Sequence, residues 1–249
     1  MSGETITAGM LVIGDEILSG RTKEKNAGHL AELMTAAGID LREIRIVGDD
    51  EEDIIAAVNA LRKRYTYVFT SGGIGPTHDD ITADAIAKAF GLPCDDDPRA
   101  MQILGEHYAA RNMEFTDARK RMARMPEGAA LIDNPVSRAP GFVVDNVHVM
   151  AGVPSVFEAM LQNVLPTLRT GAQVLSRAIP CDLGEGDIGG PLGEIQKANP
   201  QTSIGSYPRF NERGFSTEIV IRSREAGAIE AAESAVRRMI AEVSAAKAR

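Results

Sequence analysis

The residues best suited to do chemistry lie in one stretch, residues 68–82, which reads VFTSGGIGPTHDDIT. Three glycines, Gly72, Gly73 and Gly75, follow an apolar run that favours a β-strand, and a helical pattern begins near Thr82. Glycine lets a tight loop adopt positive φ and lets main-chain N–H groups come close to a ligand. Together with the helix N-terminus that follows, such a loop favours a bound anion, above all a phosphate.

Two carboxylates, Asp79 and Asp80, follow these glycines where phosphate oxygens would bind. Carboxylates alone would repel a phosphate, so a divalent cation that bridges the two makes physical sense of the pair. The structural alternative is that Asp80 or Thr82 caps the helix. Capping requires neither three glycines nor a second aspartate, and this favours a phosphate site. The stretch lacks both the third glycine of the dinucleotide fingerprint and the lysine of a P-loop.

The neighbouring sequence predicts the elements that would hold this loop. An apolar strand within residues 5–13 ends at Gly14-Asp15-Glu16, and a second strand at residues 41–47 ends at Gly48-Asp49-Asp50. Helical spacing follows each strand, which favours an α/β fold with a mainly parallel sheet. Ligands of such sheets bind beyond the carboxyl ends of the strands, so Glu16 and Asp49 join the site. Each acid alone is also compatible with a solvated loop, and Glu16 with a hydrogen bond that closes its loop.

A basic segment at residues 116–125 is a second source of anion-binding groups. On a helix, Arg121 and Arg124 would share one face and, with Lys120, would be able to meet a diphosphate. A solvated helix face is the open alternative. Histidine is a side chain suited to proton transfer near neutral pH, which makes His78 a candidate, although a lone loop histidine usually has no such role.

The remaining pattern predicts two domains, residues 1–170 and residues 171–249. In the second, strands surround a glycine-rich approach to a brief helix at residues 184–193, and an amphipathic helix ends the chain. These elements predict a small α+β module.

Composition excludes several classes of function. Of 249 residues, 44% are hydrophobic and 25% charged, with a net charge of −8, which argues against extended nucleic-acid binding. No apolar run reaches the ~18 residues that a membrane span needs, and the N-terminus lacks the features of a secretory signal. We therefore expect a cytoplasmic protein with no membrane partner. The two cysteines, Cys94 and Cys181, have no metal-ligand spacing and are expected to be reduced.

Five motifs in order resemble one family, the molybdopterin-binding (MoaB/MogA-like) domain, in the form found at the N-terminus of CinA and fused to eukaryotic FAD synthase. CinA is the competence/damage-inducible protein. The motifs lie at residues 14–20, 47–49, 72–82, 139–142 and 152–154. The resemblance covers about residues 5–170, and the rest resembles the small module that follows in CinA.

The resemblance implies a three-layer α/β/α domain that forms dimers or trimers. It also implies a ligand that is a pterin phosphate or a nucleotide, with Asp80 and Thr82 as the family's Asp-x-Thr element. The substrate-binding residues expected from the motifs and the loop geometry are Gly14, Gly72, Gly73, Gly75, Pro76, Thr77, Thr82, Arg121, Pro140, Gly141, Gly152 and Pro154.

CinA-type members are metal-dependent pyrophosphatases that cleave ADP-ribose or FAD, and the resemblance implies the same activity here. We expect Asp79, Asp80 and Glu16 to be catalytic, and Asp80 and Asp49 to hold Mg²⁺, Mn²⁺ or Co²⁺. The alternatives are non-catalytic binding of molybdopterin or a nucleotide, and an adenylyl- or metal-transfer role in cofactor assembly.

Three departures from the family bear on these expectations. Ser137-Arg138 stands where relatives often have Gly-Thr, and Arg121 stands where many have Lys. These two positions put substrate specificity in question. The chain ends at Arg249, so we expect the deamidase activity of full-length CinA to be absent.

Overall fold

The structure, a computed structural model, describes residues 5–211 and 214–247. The chain divides into two compact units, Met1–Gly171 and Ala172–Arg249.

The first unit is built on a six-stranded sheet with the order β2-β1-β3-β8-β7-β6. Its described strands, including the β4–β5 pair that forms a separate two-stranded sheet, are β1 (Thr7–Ile13), β2 (Asp40–Val47), β3 (Tyr67–Ser71), β4 (Cys94–Asp96), β5 (Arg124–Pro126), β6 (Ala130–Ile132), β7 (Gly141–Val144) and β8 (Val147–Met150). Strands β2, β1, β3 and β8 are parallel neighbours, whereas β7 runs antiparallel to both β8 and β6. The expected mainly parallel sheet is confirmed.

Helices cover both faces of this sheet. The described helices of the first unit are α1 (Asp15–Leu18), α2 (Asn26–Ala36), α3 (Glu51–Arg62), α4 (Thr82–Phe90), α5 (Pro98–Ala110), α6 (Asp117–Lys120) and α7 (Pro154–Val164). Leu11 and Ile13 of β1 pack into the core beneath α3, α4 and α5, while Met10 and Val12 pack into the core beneath α2 and α7. Successive side chains of a strand point to opposite faces. A strand that is apolar on both faces therefore belongs in the middle layer, and the three-layer α/β/α fold is confirmed.

The second unit is a three-stranded antiparallel sheet with two helices, as expected for a small α+β module. The sheet has the order β10-β11-β9. The bounds are β9 (Leu175–Cys181), α8 (Glu185–Ala198), β10 (Ser203–Asn211), β11 (Gly214–Ser223) and α9 (Ala226–Lys247). Ile188 of α8, Ile219 of β11 and Val236 of α9 are buried in one core.

Two sequence predictions about local structure are wrong. Residues 116–125 are not one helix, because α6 ends at Lys120, a 3₁₀ turn covers Arg121–Ala123, and Arg124 begins β5. Arg121 and Arg124 therefore do not share a helix face. Residues 184–193 are not a loop-like approach to a brief helix either, since α8 already begins at Glu185 and runs for 14 residues.

In the described part of the chain, no helix has the length and apolar character to span a membrane. Both thiols are free, and burial together with the nearby Asp84 carboxylate raises the pKa of Cys94 to about 12. Cys94 is therefore a protonated, unreactive thiol at neutral pH.

Candidate functional site

The carboxyl ends of β1, β2, β3 and β8 lie side by side at one edge of the sheet. The main-chain N–H of Gly14, after β1, donates to the Val47 carbonyl at the end of β2 (3.1 Å). The N–H of Gly72, after β3, donates to the Met150 carbonyl at the end of β8 (3.1 Å). The first bond joins the ends of β1 and β2, and the parallel pairing of β1 with β3 brings the glycine loop beside them, as the sequence predicts.

Between β3 and α4, the chain forms a loop that only glycine fits well. Gly72 and Gly73 have φ values of 113° and 68°, which side chains rarely tolerate. Thr82 is fully buried, and its hydroxyl donates to the Gly72 carbonyl (3.1 Å) while its N–H donates to the Gly73 carbonyl (3.0 Å). Thr82 therefore fixes the loop from beneath, and its hydroxyl is engaged with the protein.

One side of this loop opens into a crevice, which we call the α4-side crevice. Its lining includes Gly73, Ile74, Gly75, Asp80, Ala83, Asp84, Arg121, Met122, Arg124, Pro140 and Phe142. The N–H groups of Gly73, Ile74 and Gly75 donate to no atom of the described protein. Free main-chain donors at such a loop are the groups that bind phosphate oxygens.

The two arginines of this crevice have different surroundings. Arg124 forms an ion pair with Asp84 (2.6 Å), and although burial opposes it, hydrogen bonding by Arg124 lowers the pKa of the Asp84 carboxyl. Arg121 instead donates to the Asp80 carbonyl (3.4 Å), and its buried Nε has no partner in the described protein. Arg121 is therefore the guanidinium with donors left for an anionic ligand.

The carboxylate of Asp80 is oriented by its own loop. Its Oδ2 accepts hydrogen bonds from the N–H (2.7 Å) and the hydroxyl (2.5 Å) of Thr77. The carboxylate also faces Gly75, where an added Cβ would lie 2.6 Å from Oδ2. The neighbouring Pro76, His78 and Asp79 are exposed, and the His78 side chain is 98% exposed. Its Nδ1 lies 3.9 Å from Oδ1 of the exposed Asp79, which is too long for a hydrogen bond, so this contact does not fix His78 for proton transfer.

A second group of acids gathers at the ends of β1 and β2. The N–H of Asp15 donates to Oδ2 of Asp49 (2.9 Å). Burial raises the pKa of the Asp49 carboxyl, and the negative charges of Asp15, Glu16 and Asp79 raise it further, although the bond from Asp15 opposes this. Glu16 folds over Gly14, with its carboxylate 2.4 Å from where a Cβ would stand. Carboxylate oxygens are the ligands that a hard divalent cation prefers.

The described residues include no ready-made group of three or more His, Cys, Asp or Glu side chains that would hold a metal ion. Asp80 lines the α4-side crevice, but Asp49 does not. The carboxylates that raise the pKa of Asp49 include Glu16 and Asp79. The predicted metal ligands Asp80 and Asp49 are therefore not part of a preformed cluster of protein ligands.

On the other face of the sheet, beside α2, lies a second crevice, which we call the α2-side crevice. Its lining is Val12, Ile13, Glu16, Ile17, Thr22, Lys23, Glu24, Lys25, Asn26, Ser71, Gly152 and Pro154. Asn26 and Ser71 were not among the expected site residues. The end of the central strand pointed to Ser71, but no sequence signal distinguished Asn26 from an ordinary polar residue at a helix start.

The remaining predicted residues are divided between these features. Pro140 lines the α4-side crevice, and Pro154 begins α7 and lines the α2-side crevice. Gly141 is buried in β7, where an added Cβ would lie 2.3 Å from the Val149 carbonyl oxygen, so its smallness serves strand packing. At Gly152, an added Cβ would lie 3.2 Å from the Gly72 Cα, so this glycine lets the two loops approach.

Comparison with known proteins gives matches along nearly the whole chain. Residues 9–170 match the family described as probable molybdopterin binding domain, and residues 173–248 match the family described as FAD synthase, middle domain. A protein from Pyrobaculum arsenaticum is 33% identical over 245 residues, covering 93% of this chain and 91% of the relative. One from Aeropyrum pernix is 32% identical over 216 residues, covering 83% and 81%. The crystal structure of CinA from Thermoplasma acidophilum, described as a protein with unknown function, matches with a TM-score of 0.61 at 32% identity, covering 66% of this chain and 98% of that chain.

Proposed function

This chain belongs to the family of probable molybdopterin-binding domains, and we propose that it is a metal-dependent pyrophosphatase that hydrolyses the diphosphate bond of a nucleotide such as ADP-ribose or FAD. The observation that carries this proposal is the α4-side crevice, where free main-chain N–H groups, an oriented carboxylate and a guanidinium with spare donors face the same space. The match of residues 173–248 to the FAD synthase middle domain supports a nucleotide as the ligand.

The loop would bind the diphosphate through its backbone. The N–H groups of Gly73, Ile74 and Gly75 are donors without protein partners, and α4 adds partial positive charge at its N-terminus. Thr82 holds these donors in place before the ligand arrives. Donors that need no rearrangement stabilise charge that develops on phosphate oxygens during hydrolysis.

Arg121 would neutralise the charge that appears on the leaving phosphate. Its guanidinium is a cationic, multidentate donor that is anchored at one end by the Asp80 carbonyl. Arg124 is held by Asp84 and would contribute less to the ligand.

The acids of this edge fit a divalent cation. Asp80 would hold it from the α4-side crevice, helped by Asp49 or Glu16 at the neighbouring strand ends or by Asp79 in the same loop. When bound, the cation would polarise a phosphoryl oxygen and lower the pKa of an attacking water. Thr77 keeps the Asp80 carboxylate turned toward the loop.

The test is an assay of the purified chain with ADP-ribose, FAD and NADH in the presence of Mg²⁺, Mn²⁺ or Co²⁺. We expect AMP to appear, and we expect Asp80→Asn to lower its rate of formation at least ~100-fold, since the charge that binds metal is lost. Asp117→Asn is the matched control, because Asp117 is an exposed partner of Lys120 and lines neither crevice. Absence of AMP with all three metals, from correctly folded protein, would overturn the proposal.

A second candidate is favoured by the family description itself. Binding of molybdopterin without turnover would make the protein a carrier or sensor, and an adenylyl- or metal-transfer reaction would make it an enzyme of cofactor assembly. Saturable pterin binding with no AMP formed from any dinucleotide would support the carrier. Formation of an adenylylated pterin from ATP would support the assembly role.

A further inference from the structure

The buried end of the α2-side crevice carries a hydrogen-bonding pattern that the protein itself does not complete. Asn26 is only 4% exposed, and its amide nitrogen donates to the Ser71 hydroxyl oxygen (2.7 Å) and to the Gly152 carbonyl (2.8 Å). A carbonyl oxygen only accepts, so the bond to Gly152 fixes which atom of the amide is the nitrogen. Both hydrogens of that nitrogen are therefore used.

The other atom of the amide, Asn26 Oδ1, is a buried acceptor without a partner in the described protein. Ser71 is also buried, and its oxygen already accepts from Asn26, so its own hydrogen remains available. Buried acceptors are rarely left unpaired, because desolvation without a replacement bond is unfavourable. Asn26 and Ser71, which both line the crevice, thus carry an unpaired acceptor beside a free hydroxyl hydrogen.

We propose that the α2-side crevice binds the heterocyclic ring of the nucleotide, with Asn26 Oδ1 accepting an N–H of the ring and the Ser71 hydroxyl donating to an adjacent ring acceptor. This inference rests on the proposed function and adds a ring-binding subsite to it. Adenine, flavin and pterin rings all present an N–H beside an acceptor, which is the shared chemistry that the pair recognises.

The location of the crevice fits such a ligand. Gly152 borders the crevice and touches the backbone of Gly72, the first residue of the glycine loop. A ring in the crevice and phosphates on the loop would therefore be neighbours, as they are in a nucleotide. Lys23 and Lys25 are exposed lining residues, so the rim is polar while the end is buried.

Asn146 has the same hydrogen-bonding pattern as Asn26 but lines neither crevice, so only the position of Asn26 sets it apart. Asn146 too donates twice through its amide nitrogen, to the carbonyls of Arg62 (3.0 Å) and Tyr65 (2.9 Å), and its Oδ1 also lacks a partner. Asn146 is less buried, however, and lines neither crevice. It lies in the β7–β8 turn, away from the carboxyl edge, and so provides a matched control.

The experiment is a calorimetric comparison of ligands that cannot be hydrolysed, in the presence of Mg²⁺. The first pair is ADP-ribose with a methylene-bridged diphosphate and the same compound with purine in place of adenine, which lacks the amino group. The second pair is FMN and N3-methyl FMN, which lacks the ring N–H. In at least one pair, we expect the compound that has the N–H to bind about 10- to 100-fold more tightly than the compound that lacks it.

The variants assign this preference to a residue. In Asn26→Ala, the two members of the preferred pair should bind equally, whereas Asn146→Ala should keep the wild-type ratio. Thermal unfolding of each variant checks that it is folded. If Asn26→Ala does not fold, Ser71→Ala takes its place and should reduce the ratio.

The outcomes separate this inference from the proposed hydrolysis. Equal binding within both pairs, no saturable binding of any ligand, or a preference that persists in the Asn26 and Ser71 variants would overturn the ring subsite. A preference that depends on Asn26, found in a protein that forms no AMP from the natural diphosphates, would keep the subsite and reject the pyrophosphatase. The pair that is discriminated identifies the ring as adenine-like or flavin- and pterin-like.

Discussion

The loop after β3 and helix α8 are both rich in glycine, but the surroundings of those glycines differ completely. A Cβ added at Gly72 would lie 2.1 Å from the Ile13 carbonyl oxygen, and one at Gly73 would lie 2.0 Å from the Thr82 hydroxyl oxygen. At the four glycines inside α8, an added Cβ would meet nothing within 4 Å; they are Gly186, Gly189, Gly190 and Gly193. The first set is required by geometry, whereas the second is merely tolerated.

This difference separates a segment whose backbone geometry requires glycine from a segment held by packing. The β3–α4 loop has positive φ values and free main-chain donors, which no hydrophobic contact would require. In α8, Ile188 and Leu192 are buried against the core of the second unit, and this burial keeps the helix despite its glycines and Pro191. Glycine content alone therefore does not indicate a binding loop, whereas the combination of positive φ, no room for a Cβ and free main-chain donors distinguishes the β3–α4 loop from α8.

The largest expected effect is that of Gly72→Ala. Strain at φ 113° and the overlap with the Ile13 carbonyl should together lower the free energy of unfolding by about 4 kcal/mol. Urea denaturation followed by circular dichroism measures this. Gly28→Ala in α2 is the control, because a Cβ there meets no atom within 4 Å and should leave stability unchanged or slightly higher. An unchanged midpoint for Gly72→Ala would remove the distinction between the two glycine sets.

The two units should also differ in their response to acid, because all four histidines of the chain lie in the first. Burial lowers the pKa of His148 in β8 from 6.5 to about 4, and its ring stacks on Phe69. A lowered folded-state pKa stabilises the fold above pH 6.5 and loses that contribution as the pH falls from 6.5 toward about 4. The contribution corresponds to about 3 kcal/mol.

We expect His148→Phe to remove this part of the pH dependence. Urea unfolding of the wild type and the variant is measured at pH 7, 5.5 and 4.5. As the pH falls, the unfolding free energy of the wild type should decrease more than that of the variant. Parallel stability profiles over that range would show that His148 is not the group responsible.

An intermediate effect is expected for Thr82→Val, which keeps the shape but removes the hydroxyl under the loop. The Gly72 carbonyl would lose its partner at 3.1 Å in a fully buried position, at a cost of about 1–2 kcal/mol. Thr82→Ser retains the hydroxyl and should lose less. Equal stability of the Val and Ser variants in urea would mean that the hydroxyl does not support the loop.

Local sequence was sufficient to predict the strand, loop and helix around Gly72, because a β-prone run, clustered glycines and a helical pattern are all short-range signals. It was not sufficient to predict that Arg124 lies in a strand, because the pairing of β5 with β4 depends on Asp96, which is distant in the sequence. The sequence predicts too short a helix at α8 because Pro191 and glycine have low helix propensity, and burial of Ile188 and Leu192 outweighs this. The unpaired acceptor on Asn26 depends on side-chain geometry that no pattern encodes.

The smallest effect should come from Gly189→Ala in α8, and its sign matters more than its size. Gly189 is exposed and mid-helix, so alanine should raise the free energy of unfolding by about 0.5–1 kcal/mol through helix propensity. Gly190→Ala is the comparison that sharpens this, because residue 190 precedes Pro191 and a Cβ there is disfavoured in the helical conformation. The gain should therefore be present at 189 and reduced or reversed at 190. If Gly189→Ala were instead destabilising in urea, α8 would have a requirement for glycine like that of the β3–α4 loop, and the contrast between the two segments would fail.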